Sequence, residues 1–266
     1  MIHISSVLQD RKELSLSQNK PKNARLPQMS KQEKRKAEQE QQKQKTRILI
    51  ISTIALVVII FVGLFMLAAK DSSKKDASAK PVEFNYSELP RLGKEDAPVK
   101  IVEFGDFKCP ACAQFTGVIK PQIVQEYVNQ DKAAFYFVNM AFIGADSTTA
   151  SLAALSVYHQ NSDAFWTYYD ALYTNQGEEK KEWATTDFLV SLAQKENLPI
   201  DFDLLRKDIE DKTYYSELQS DIKLAKDADV TSTPTVFVNG LKVEEPFNIE
   251  AIDAQIKVAA EAVNAE

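Results

Sequence analysis

The stretch V-K-I-V-E-F-G-D-F-K-C-P-A-C-A-Q-F-T, Val99 to Thr116, holds the only two cysteines of the 266 residues, Cys109 and Cys112. They follow directly on an apolar run, Lys100 to Phe104, whose Ile101, Val102 and Phe104 suit a buried strand. Pro110 stands where a first helical residue belongs, since its missing N–H is an orphan donor there and its φ is already helical. The segment reads as strand, turn, helix. A cysteine at that helix N-terminus has its thiolate stabilised by unpaired N–H groups and the positive end of the macrodipole. Cys109 is therefore the expected nucleophile. Cys112, three residues on and nearly on the same face, can close a disulfide with it and is the expected resolving thiol. The other readings are half of a zinc site or an inert buried pair. A zinc site needs further ligands, and the chain offers no other cysteine and only His3 and His159.

Outward from that motif the composition is uneven. Residues 48–69 are 22 consecutive positions without a charge, about 33 Å as a helix against a hydrocarbon core of roughly 30 Å, and predict a single transmembrane helix. Before it, residues 1–47 carry 12 Lys or Arg against 5 acids, so the positive-inside rule predicts a basic cytoplasmic tail, disordered or a solvated helix. The apolar run is longer than that of a signal peptide, although Ala77-Ser78-Ala79 resembles a cleavage site. A lipoprotein anchor needs a cysteine after the run, and Lys70 stands there. Residues 70–80 read as a polar linker and 81–266 as an extracytoplasmic domain. From residue 70 onward 20 basic residues face 33 acidic ones, a balance of −13 that argues against nucleic acid or anionic lipid as a partner. A disulfide-permitting compartment, with one close cysteine pair, points to a protein that handles disulfides rather than one stapled by them.

Along the domain, Val82 to Tyr86 is a possible first strand. After the motif, apolar residues from Phe115 to Val128 recur at helical spacing, with a kink expected at Pro121. Ala134 to Phe142 is a second strand, and two strands joined through a helix suggest a parallel βαβ unit. Five helices are expected between residues 146 and 229: 150–158, 164–173, 187–196, 202–208 and 214–228. The aromatic run Phe165, Trp166, Tyr168, Tyr169 and Tyr173 reads as a buried helix face, and His159 as a packing or surface residue. Asn239-Gly240 between Thr235–Val238 and Leu241–Val243 is a hairpin signal, and residues 249–263 close the chain as a helix. Glu178-Glu179 reads as solvated surface charge, so no metal site is expected.

This order, βαβ then a block of helices then ββα, with V-E-F-G-D-F-K-C-P-A-C, F-W-T-Y-Y-D-A-L-Y and V-T-S-T-P-T-V-F-V-N-G in place, resembles the thioredoxin fold of the DsbA-like disulfide oxidoreductases from about Pro90 to Val263. The expected class is α/β, a thioredoxin-like fold with an inserted helical subdomain. The resemblance implies a cis proline at Pro234, packed against the active-site disulfide, with Thr233 offering backbone groups to an extended substrate. It also implies a buried glutamate at Glu103 that takes up the Cys112 proton. Asp106 and Lys108 flank the thiols and are expected to tune them. The dipeptide between the cysteines is Pro110-Ala111, where the strongly oxidising members have Pro-His, so a histidine's help to the thiolate is missing.

The expected activity is donation of the Cys109–Cys112 disulfide to reduced, unfolded secreted proteins by a membrane-anchored oxidoreductase, with no organic cofactor. The resemblance adds a quinone-linked membrane protein as the reoxidising partner. The rivals are the same fold run as a reductase or isomerase, and a non-enzymatic chaperone that keeps the disulfide as a staple.

Overall fold

The computed structural model describes residues 80–264 and scattered helical positions between 40 and 57. Most of the expected membrane span, residues 48–69, and most of the tail and linker lie outside the described residues. Among the described residues no helix is long and apolar enough to cross a membrane.

The domain is built on a five-stranded mixed sheet of order β1-β3-β2-β4-β5. Its strands are β1 (Arg91–Leu92), β2 (Val99–Gly105), β3 (Ala133–Asn139), β4 (Thr235–Val238) and β5 (Leu241–Lys242). β2 and β3 are parallel, as a crossover through a helix requires, and the other pairings are antiparallel. Both central strands are buried along almost their whole length. That explains why they read as nearly continuous apolar runs.

Side-chain alternation along β2 sorts the two faces. Val102 and Phe104 join Phe84, Tyr136 and Phe237 in one cluster, while Val99 and Ile101 enter the larger cluster that contains both cysteines and the helical block. Glu103, two positions past Ile101, is thereby committed to the cysteine-bearing face.

The crossover helix is interrupted as Pro121 predicts. α1 (Pro110–Val118) gives way at Ile119 to a short α2 (Lys120–Ile123) and one π-helical turn, Val124–Val128. The five inserted helices are α3 (Ala145–Gln160), α4 (Ser162–Thr174), α5 (Thr186–Lys195), α6 (Phe202–Asp211) and α7 (Tyr215–Asp227). Asp201 caps α6 through the N–H groups of Asp203 and Leu204, and Thr185 caps α5, which begins at Thr186, one residue before the expected start at 187. Asn239 and Gly240 turn the β4–β5 hairpin with φ of 45° and 80°. α8 (Ile249–Asn264) closes the fold.

Two expectations are corrected. Residues 82–86 form no strand: Val82 donates a single bond to the Gly240 carbonyl, and Tyr86–Glu88 is a 3₁₀ turn. β3 stops at Asn139 rather than Phe142, because the N–H groups of Phe142 and Ile143 turn to the Asp106 carboxylate at 2.9 and 3.0 Å.

Candidate active site

Sheet register assembles the site. β4 runs antiparallel to β2 with Thr235 opposite Phe104, so the residues entering β4 lie beside those leaving β2. Thr233-Pro234, joined by a cis peptide bond, therefore meets Cys109, whose Sγ lies 3.4 Å from the Thr233 carbonyl oxygen.

The turn from β2 into α1 is held from four directions. Asp106 accepts the Lys108 N–H at 2.8 Å, the Ser147 hydroxyl and the two N–H groups beyond β3. The Phe107 ring lies among Phe137, Tyr169 and Tyr173, with centroids 5.1–5.9 Å away. Lys108 is buried and donates to Asp146 at 2.6 Å and to the Lys181 carbonyl at 3.0 Å. Gln176 Nε2 donates to the carbonyls of Phe107 and Cys109, at 2.8 and 3.1 Å. Gly105 is needed here, since a Cβ would stand 2.6 Å from the Phe137 ring and 2.8 Å from the Tyr173 hydroxyl.

Cys109 occupies the N-cap of α1 and Cys112 its first turn, both as free thiols. Cys109 is 7% exposed and Cys112 fully buried. The Cys112 thiol donates to the Cys109 sulfur, and this, with the Thr233 side chain and the N–H groups of Ala111 and Cys112, outweighs burial and lowers the Cys109 pKa from 9.0 to about 6. Burial, its bond to Cys109 and the nearby Glu103 push Cys112 far above its ordinary value. One thiol is an anion near neutral pH and the other a proton carrier, the asymmetry that directed exchange requires.

Beneath the pair, Glu103 is fully buried. Burial raises its pKa from 4.5 to about 8, against the opposing pull of a Tyr169 hydrogen bond and the Lys120 charge. Tyr169 donates to Glu103 Oε2 at 2.5 Å, while Oε1 has no hydrogen-bond partner. Lys120, itself buried, lies 4.5 Å from the Tyr169 ring centroid and pairs with Asp170 at 2.6 Å.

The residues singled out in the sequence thus fall into two groups. Cys109, Cys112, Glu103, Thr233 and Pro234 come together around the sulfurs, with Pro110 exposed and Ala111 half-buried in the first turn of α1. Asp106 and Lys108 turn away into the network that fixes the turn. Tyr169, Lys120 and Gln176 were not anticipated as site residues. Tyr169 does sit in the buried helix face that the periodicity predicts, but its hydroxyl partner is 66 positions away. Among the described residues no cluster of His, Cys, Asp or Glu is arranged to hold a metal ion.

A thioredoxin-like fold with a CxxC pair at a helix N-terminus, opposite a cis-proline loop, defines a thiol-disulfide oxidoreductase. Comparison with known proteins agrees. The thioredoxin family pattern matches residues 87–258. The probable disulfide bond formation protein D of Bacillus cereus is 37% identical over 206 residues, covering 76% of this chain and 94% of that protein. Disulfide bond formation protein D of Bacillus subtilis is 34% identical over 168 residues, 63% of this chain and 75% of that one. The crystal structure of oxidised BdbD from Bacillus subtilis superposes with a TM-score of 0.65 at 32% identity, covering 70% of this chain and all of that one. The chain belongs to the DsbA-like thioredoxin family of disulfide bond formation protein D, and its enzymatic class is thiol-disulfide oxidoreductase acting on substrate proteins.

Proposed function

We propose that this oxidoreductase is membrane-anchored with its domain outside the cytoplasm, and that it donates the Cys109–Cys112 disulfide to secreted proteins. The opposed acidities of the two thiols carry the reading. A substrate thiolate attacks Cys109 Sγ, forming a mixed disulfide; the Cys109–Cys112 bond breaks and Cys112 departs as a thiolate that takes a proton from Glu103. A second substrate thiolate then attacks the substrate sulfur of the mixed disulfide and releases Cys109 as the thiolate its surroundings stabilise. Two electrons pass from the substrate, which gains a disulfide, to the cysteine pair. Thr233 and Pro234 border Cys109 and offer backbone groups to an extended substrate. A quinone-linked membrane protein would take the two electrons away again.

The first test is the equilibrium reduction potential against glutathione, with Cys109→Ala as the control in which exchange is lost. A potential of about −120 to −180 mV, the range of oxidants and isomerases, supports donation; one of about −270 mV overturns it in favour of a reductase.

A further inference from the structure

Cys112 must gain a proton when the disulfide is reduced and lose it on reoxidation, yet it has no contact with solvent. Glu103, the group that meets this need in the proposed mechanism, is equally enclosed. A proton held by Glu103 has to enter and leave the fold by some route. The hydrogen bonds around Glu103 lead in one direction. Its Oε2 accepts from Tyr169 at 2.5 Å, and the Tyr169 hydroxyl is in turn 3.0 Å from Thr116 Oγ1. Thr116, nearly buried, lines a cleft of about 650 Å³ between α1 and α4, together with Lys120, Asp170 and Tyr173.

We propose that Tyr169 and Thr116 form a proton relay between Glu103 and the water of that cleft, so that the buried thiol exchanges its proton at the back of the active site rather than at its mouth. The proposal rests on the exchange chemistry assigned above and names the path by which its proton travels.

The steps balance. On reduction, Glu103 gives the proton on Oε1 to the Cys112 thiolate. Its Oε2 takes the Tyr169 hydroxyl proton, Tyr169 takes that of Thr116, and Thr116 takes one from a cleft water. The resulting hydroxide is neutralised by buffer. On reoxidation Cys112 returns its proton to Oε1, Oε2 returns one to Tyr169, and the chain passes one proton back out. Each hydroxyl then points as it did at the start, so reduction and reoxidation reset one another without any side chain turning over. Helix geometry favours the path, since Cys112 and Thr116 are four residues apart and therefore on one face of α1. Burial holds the Glu103 carboxyl up at about 8, so it is protonated at pH 7 and ready to act as an acid. Lys120 lies over the Tyr169 ring and pairs with Asp170 at the cleft, which positions the tyrosine.

The test follows single-turnover reduction of the oxidised full chain by glutathione, in detergent, from pH 5 to 8 and in H₂O and D₂O. Tyr169→Phe keeps the ring and removes the relay hydroxyl. Thr116→Val leaves the Glu103–Tyr169 bond intact and cuts the outlet. Both should slow release of Cys112 on the order of tenfold, a modest share of what general acid catalysis supplies, and should change the solvent isotope effect. The alkylation midpoint of Cys109 should stay where it is, and Thr116→Ser should restore the rate. Wild-type rates and isotope effects in both variants overturn the relay. So does slowing in Tyr169→Phe alone, which would leave Tyr169 as a local partner of Glu103. If Thr116→Val does not fold, Thr116→Ala takes its place and is read by the same outcomes. Retained exchange in Cys109→Ala would instead defeat the underlying reading, so the two failures are distinguishable.

Discussion

Cys109 and Cys112 carry the same side chain three positions apart, yet their surroundings drive their thiols in opposite directions. After burial and the bond to Cys109, the nearby Glu103 adds to the rise at Cys112, and it bears a cost of its own. A carboxyl enclosed on all sides ionises only against lost hydration, and the Tyr169 hydrogen bond and the Lys120 charge recover only part of it. Because its pKa in the fold lies above that in the unfolded chain, the folded state binds the proton more tightly. The stability this contributes is present below about pH 4.5 and is lost as pH rises towards about 8. Glu103→Gln keeps an oxygen for Tyr169 and removes the titration. The variant should gain on the parent by a few kcal/mol, at most about 4, between pH 5 and pH 8. Urea unfolding at the two pH values measures this, and a constant difference would show that Glu103 does not titrate in that window.

At the scale of elements, the start of α1 is placed by bonds that come from the inserted helices. Burial alone would raise the Asp146 carboxyl, but the Lys108 hydrogen bond and the N–H groups of Trp183 and Ala184 outweigh it and hold it below its ordinary value. Asp146→Ala leaves a buried ammonium and two N–H groups without their acceptor. It should cost about 3–5 kcal/mol, the range for breaking a buried pair, and its deficit should persist in high salt. A loss under 1 kcal/mol in denaturant titration would mean that Lys108 escapes to water and the turn does not depend on it. This network also marks where sequence reading stopped. β2, β3, α1, the Pro121 break and the Asn239-Gly240 hairpin were legible because each is written in local chemistry. Residues 82–86 misled by their alternation. Phe84 packs on Phe104 and Phe237, and Tyr86 on Tyr136, so the pattern reflects one buried face. A ladder did not follow, because the outer edges of β3 and β4 are already taken by β1 and β5. The thiols and the cis proline could be found by spacing and resemblance. Gln176, Lys120 and the role of the Tyr169 hydroxyl could not, since their partners lie roughly fifty to seventy positions away and only the packed helical block brings them in.

For the whole molecule, the thiol pair links redox state to folding. Reduced and oxidised chains, folded and unfolded, form a closed cycle, so whatever stabilises the folded dithiol over the folded disulfide raises the reduction potential by the same free energy. The Cys109 thiolate supplies one such contribution with a definite pH signature. Its pKa of about 6 in the fold lies below the ordinary 9.0, so the stabilisation is fully present above about pH 9 and disappears as pH falls through 6. At pH 7, with screening at the mouth of the site allowed for, it amounts to about 1 kcal/mol. For a two-electron couple that corresponds to about 20 mV, small beside the roughly 150 mV between thioredoxin and the strongest oxidants. A single potential therefore does not isolate it, but a pH series does. The stability of the reduced chain relative to the oxidised one should rise between pH 6 and pH 8, as read by paired denaturant titrations with and without reductant. Cys112 stays protonated throughout that range and adds no slope of its own. Cys112→Ala, which removes the thiol that exerts the largest pull on Cys109, should move the Cys109 alkylation midpoint upward from about 6. A reduced-minus-oxidised difference that stays flat across the range would mean that the N-cap of α1 does not hold a thiolate, and that whatever sets the potential lies elsewhere in the fold.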